Sequence, residues 1–148
     1  MSKTLLVMLC SVFVLAACGE PEDTRPGKPV AQRRAAFKEI LKVFEPMGVM
    51  LRTGKYEPKA FLGYAAQLKT LRDGPWSHFG PDTQYPPSHS TDAVWSQADK
   101  FAAEKKAFFD ATDKLAALPA TADKAQANTT YEAVAETCKS CHKTFKTR

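Results

Sequence analysis

The run Cys138-Lys139-Ser140-Cys141-His142 gathers two thiols and an imidazole into one short segment. On a helix, positions three and four apart share a face, so Cys138, Cys141 and His142 point one way while Lys139 and Ser140 point the other. Thiols at this spacing can add to the two vinyl groups of a porphyrin. The adjacent imidazole can then reach the iron, which makes the run an attachment pattern for a c-type haem. Two other chemistries use paired cysteines. A redox dithiol expects a strand–helix–strand context, and the hydropathy pattern contains none. A zinc site needs a second pair of ligands, but His78 and His89 lie in a loop without cysteines nearby. The expectation is one covalent haem c with His142 on the metal. The rest of the protein then sets the opposite axial position, access and polarity.

The N-terminal residues bear on where that chemistry happens. Lys3 precedes a nearly unbroken apolar run from Leu5 to Ala17, too short to span a membrane comfortably and ending in small residues. Residues 1–17 read as an export signal. Leu15-Ala16-Ala17-Cys18-Gly19 resembles a bacterial lipobox, which implies cleavage before Cys18 and lipid on that residue; an ordinary signal would leave Cys18 without a role. Several acyl chains on one residue would anchor stably, since one alone is marginal. Residues 18–29, with Pro21, Pro26 and Pro29 among acidic residues, read as a flexible tether. The expected location is the periplasm, on a bacterial membrane. Thiols in that oxidising compartment must be kept reduced until haem is attached.

Residues 30–148 suffice for one domain with one core. Losing residues 1–17 removes only Lys3, so the formal charge falls from +5 to +4. Acidic and basic residues interleave along the chain, which reads as solvated helix faces and argues against a nucleic-acid partner. Apolar residues recur at spacings of three and four in four segments. The first carries Val30, Phe37, Ile40, Phe44, Met47 and Leu51, with Pro46 expected to distort it and Gly54 to end it. The second carries Phe61, Tyr64, Leu68 and Leu71. A third, capped by Thr91 or Asp92, runs through Val94, Ala98, Phe101, Phe108, Thr112 and Leu115. The fourth, starting near Thr121, carries Tyr131, Val134, Cys138, Cys141 and Phe145. Short links within each pair predict an all-α, antiparallel up-down-up-down four-helix bundle. The haem motif lies on the fourth apolar stripe, so the haem belongs in the bundle core. Asp73 to Ser90 form the one long connection.

A second protein ligand to the iron would have to come from Met47, Met50, His78, His89 or a lysine. At this point the chain resembles the cytochrome c′ family. The resemblance rests on Arg33-Arg34-Ala35-Ala36-Phe37 opening the first helix, Pro46-Met47, Pro75-Trp76, Phe79-Gly80-Pro81, Val94-Trp95-Ser96 and the cysteine–histidine run, in that order. It implies a five-coordinate, high-spin iron whose distal position is occupied by Phe37, a ring that cannot ligate. It implies propionate pairing by Arg33 and Arg34, and a homodimer formed through the first two helices. The family's usual proximal arginine is Lys146 here, a point charge in place of a planar fork. Trp76 and Trp95 read as packing residues.

An open but apolar site favours small neutral gases. Nitric oxide binds ferrous haem without a distal donor, carbon monoxide would have to displace Phe37, and dioxygen lacks the hydrogen-bond donor that usually helps it. The expected function is therefore capture or buffering of small gases, chiefly nitric oxide, outside the cytoplasm. The alternative is a periplasmic electron carrier with a redox partner protein. An enzyme is not expected, because a peroxidase needs a distal base and a polarising cation, and the stripe around Phe37 offers neither.

Overall fold

A computed structural model describes residues 21–147. The signal segment and Cys18 lie outside the described residues. The described residues form five α-helices: α1 (Pro29–Arg52), α2 (Pro58–Leu71), α3 (Ala93–Ser96), α4 (Ala98–Ala116) and α5 (Lys124–Phe145). The four long ones form the bundle. Among the described residues, no helix is long and apolar enough to cross a membrane.

Local chemistry explains most helix ends. Pro29 occupies the first turn of α1, where its missing N–H costs nothing. Thr53 closes α1 by donating its N–H to the Val49 carbonyl at 3.0 Å, and Gly54 follows with φ +72°, a left-handed value that suits glycine. The Glu57 carboxylate accepts from the Ala60 N–H at 2.7 Å to start α2. Asp123 and Gln126 exchange side-chain and backbone hydrogen bonds in a capping box, so α5 begins at Lys124, three residues later than the apolar pattern predicts.

Two other expectations change. The predicted third helix is two helices, α3 and α4, parted at Gln97, whose φ of −123° and ψ of 48° leave the helical region. Just before that break, the Trp95 indole N–H reaches the Phe79 and Gly80 carbonyls at 3.2 and 3.0 Å, tying α3 to the long connection. Secondly, the expected tether is docked from Asp23 onward. That carboxylate is buried and accepts from the N–H of Ala31 at 3.0 Å and the hydroxyl of Tyr85 at 2.9 Å. Burial raises its pKa, but the donors from Ala31, Tyr85, Arg25 and Val30 outweigh this and hold it below the ordinary value. α1 runs on through Pro46 as a single element. Val43, Phe44, Met47 and Leu51 on either side are all buried in one core, which offsets the lost hydrogen bond.

The core is drawn from all four long helices, with Met47, Phe61, Leu68, Leu115 and Val134 fully buried. At the lower end, the Tyr56 hydroxyl donates to the Ala122 carbonyl at 3.0 Å and joins the α1–α2 link to the α4–α5 link. At the upper end, the Thr91 N–H bonds the Phe145 carbonyl at 3.1 Å and Ser90 bridges Lys146. α1 therefore runs down and α5 runs up. They meet where Tyr131 stacks on Phe44, with centroids 4.4 Å apart and planes 12° from parallel. Gly48 makes room for this. A Cβ there would fall 2.3 Å from the Tyr131 hydroxyl oxygen and 2.9 Å from Cζ.

On the α2–α4 side, Asp113 Oδ1 lies 2.9 Å from Lys69 Nζ and 3.0 Å from Arg72 Nη1. Lys69 and then Arg72 hold the Asp113 carboxyl below its ordinary value of 3.8. A lowered folded pKa gives stability that is present above the unfolded value and lost as pH falls through the folded one. Chemical denaturation of wild type and Asp113→Asn should therefore show a constant gap near neutrality that closes below about pH 4. A gap that widens in acid would refute the assignment. Gly48→Ala should cost about 1–3 kcal/mol in the same measurement, since the stacked Tyr131 must shift. A Gly48→Ala variant as stable as wild type would show that the two helices do not meet this closely.

Candidate functional site

The helix spacing of α5 places Cys138 and Cys141 on its inward side, both half-buried and neither in a disulfide. The intervening residues face outward: Ser140 Oγ donates to Glu104 at 2.7 Å, and Lys139 reaches Glu136 at 3.5 Å. Burial pushes the Cys138 thiol up, and burial, the Glu104 carboxylate and Cys138 together push Cys141 to about 11. Both sulfurs are protonated thiols at neutral pH. His142 itself is exposed; partial desolvation and then the nearby Lys146 charge lower its pKa, favouring the neutral imidazole that a metal requires.

Phe37 stands at the height of this motif. Phe37 and Cys138 each lie seven residues, about 10.5 Å along a helix axis, from the Phe44–Tyr131 stack. Because α1 and α5 are antiparallel, both steps lead upward. Phe37 is half-buried and stands edge-on to Trp76 at 5.8 Å and to Phe79 at 6.4 Å. From Phe79 the rings continue to Phe101 at 5.1 Å, and from Phe101 to Phe145 at 5.2 Å, one turn beyond Cys141. An arc of aromatic side chains thus runs from the distal candidate on α1 back to the helix that carries the thiols. Its floor is Val134 and the Tyr131–Phe44 pair.

The other ligand candidates are elsewhere. Met47 is fully buried in the core, ten residues or about 15 Å below Phe37, and Met50 lies lower still. His89 is exposed beside Thr147, with 3.5 Å between Nδ1 and Oγ1. His78 sits in a short 3₁₀ turn, Trp76–His78, of the long connection. Lys146 has already left the helix, with φ −128° and ψ 135°, and pairs with Ser90.

The two arginines diverge. Arg33 is buried, and its guanidinium clasps the long connection. Nη1 donates to the His78 carbonyl at 3.1 Å and Thr83 Oγ1 at 3.0 Å, while Nη2 donates to the Thr83 carbonyl at 3.0 Å and to Ser88 Oγ. The same group lies over the Phe79 ring at 4.8 Å. Pairing of Arg33 with a propionate would come at the expense of this clasp. Arg34, one residue on, lines a groove with Pro21, Asp23 and Lys28 on the side where the chain enters α1. Sequence reasoning missed the clasp, since its partners lie 45 to 55 residues away.

The donor set fits a covalently held haem: two free thiols three residues apart, a neutral imidazole next to the second, and an aromatic wall at their level. Cys138 and Cys141 would hold the porphyrin, and His142 would hold its iron.

A family model described as cytochrome C′ matches residues 28–146. The cytochrome c′ of Rubrivivax gelatinosus is 35% identical over 127 residues, covering 82% of this chain and 96% of that protein. Its crystal structure superposes with a TM-score of 0.76 at 32% identity, covering 85% of this chain and all of that one. A variant of the Alcaligenes xylosoxidans cytochrome c′, solved as a nitric oxide complex, superposes with a TM-score of 0.76 at 27% identity, covering 86% and 100% of the two chains. A carbon monoxide-bound variant of that protein gives the same values.

Proposed function

The chain belongs to the cytochrome c′ family and carries covalent haem c, and on that premise we propose that it binds small gases, chiefly nitric oxide, at an iron held by His142 alone. The observation that carries this reading is Phe37, a side chain with no lone pair standing at the height of Cys138. When bound, the haem would supply an iron able to take up a gas molecule. The chain supplies the rest: two thiols to hold the ring, one imidazole, and a hydrocarbon face where a sixth donor would otherwise stand. Such a face gives water and anions no hydrogen bond, so it selects for uncharged diatomics. The nitric oxide and carbon monoxide complexes of the Alcaligenes xylosoxidans variants support gas binding here as well. We read the chemistry as capture or buffering without turnover, since the Phe37 ring meets Trp76 and Phe79, and neither side chain is a base.

We place this activity in the periplasm, with the bundle tied to a bacterial membrane by lipid on Cys18. The signal-like residues 1–17 support that placement. Titrating the reduced protein with nitric oxide under anaerobic conditions should shift the haem absorption bands at stoichiometric ligand. An unchanged spectrum, or a reduced protein already showing a sharp six-coordinate spectrum, would remove the basis for the proposal.

The same family membership supports a homodimer through α1 and α2. Leu41 and Val49, eight residues apart on α1, are 47% and 49% exposed, large apolar side chains on one face. Sedimentation of Leu41→Glu/Val49→Glu should give a monomer where wild type gives a dimer. An unaltered dimer would place the interface elsewhere.

A further inference from the structure

Trp76 lies in the long connection, outside every element that holds the thiols or the imidazole. Its indole nevertheless forms the surface against which Phe37 rests. The Phe37 ring meets the indole at 5.8 Å with planes 85° apart, and Phe79 at 6.4 Å with planes 74° apart. Trp76 and Phe79 are themselves stacked, 6.2 Å apart and 26° from parallel. Phe37 is thus held edge-on by a double layer, and turning its side chain toward that layer requires the indole to move.

The indole is fixed in turn. Its N–H donates to the Arg72 carbonyl. Its faces and edges meet Phe101, Phe108 and Phe109 at 6.0 to 6.2 Å, and Lys105 Nζ lies 5.5 Å from the ring. Arg72 is buried and anchored to α4, where Nη1 donates to the Phe109 carbonyl and Thr112 Oγ1, both at 2.7 Å. Gly74 seats the intervening turn directly on α1. A Cβ added there would lie 3.4 Å from Cβ of Ala36, the residue before Phe37. The bracing therefore runs continuously from α4 through Arg72 and Trp76 to Phe37.

We propose that Trp76 is a positioning residue that controls gas entry by bracing Phe37 in the position that obstructs the distal side. The inference rests on the gas-binding reading above and adds the residue that sets its rate. Entry requires Phe37 to yield, and an aromatic edge contact opposes that movement. Removing one such pair corresponds to roughly a tenfold change in rate.

The test measures carbon monoxide association with the reduced holoprotein by flash photolysis, in wild type, Trp76→Ala, Phe37→Ala and the double variant. Trp76→Ala should bind roughly tenfold faster. In the Phe37→Ala background the same substitution should add nothing, because there is no ring left to brace. A crystal structure of Trp76→Ala should show Phe37 in a new rotamer, a readout independent of ligand. A wild-type rate with Phe37 unmoved overturns the proposal, as does an equal acceleration with and without Phe37. If Trp76→Ala does not fold, Trp76→Phe decides: it keeps a ring but loses the bond to Arg72, and should give a smaller acceleration that also vanishes without Phe37. An unaccelerated Trp76→Phe overturns the brace. Should neither wild type nor Phe37→Ala take up any gas, the gas-binding reading fails, and the Phe37 rotamer in Trp76→Ala still judges the brace.

Discussion

The register between α1 and α5 is fixed where Tyr131 lies flat on Phe44 over Gly48. Everything that makes the upper end of the bundle a site follows from that contact. It sets Phe37 level with Cys138, two turns up on each helix. Sliding either helix by one turn would bring a different α1 residue, Ile40 or Arg33, to the level of the thiols. Arg33 would put a cation there, and Ile40 would keep the face apolar but lose the ring contacts that Phe37 makes with Trp76 and Phe79, so the site depends on this register as much as on the identity of residue 37. A flat aromatic stack with a glycine beneath it tolerates little sliding, because an ordinary Cβ at Gly48 would collide with the phenol.

Above that contact the walls come from outside the long helices. Trp76 and Phe79 belong to the connection between α2 and α3, and Arg33 holds that connection down through four hydrogen bonds and its packing over Phe79. A buried guanidinium is costly unless its donors are satisfied. Here both terminal nitrogens are satisfied by the segment they organise. The long connection is consequently a structured roof, and the cation expected at the haem edge is one of its fastenings.

The sequence disclosed the chemistry and the bundle because both are written locally. Thiols and imidazole at spacings of three and four identify their own function, and apolar stripes identify the inner face of each helix. What stayed hidden depends on partners far along the chain. Asp23 looks like one more acid in a proline-rich tether until Tyr85, 62 residues later, donates to it. The break at Gln97 carries no glycine or proline; the bonds from Trp95 to Phe79 and Gly80 beside it come from a different part of the molecule. Trp76 reads as packing, which is correct as far as it goes. Its geometry against Phe37 is invisible without coordinates. Phe37 itself emerged from resemblance to a family and not from periodicity, which marks it only as one more apolar position.

The pairing of Ser90 with Lys146 and of Thr91 with Phe145 has a bearing on how the molecule is assembled. α1, α2 and α4 are synthesised before α5, yet the roof over their upper end is stitched to residues that follow the cysteine–histidine run. Contacts between segments so distant in sequence close slowly, since the intervening chain must lose its freedom first. The upper end therefore cannot seal until Phe145 and Lys146 are in place. A chain cut short after His142 would keep its thiols and imidazole but lose the residues that fasten this roof.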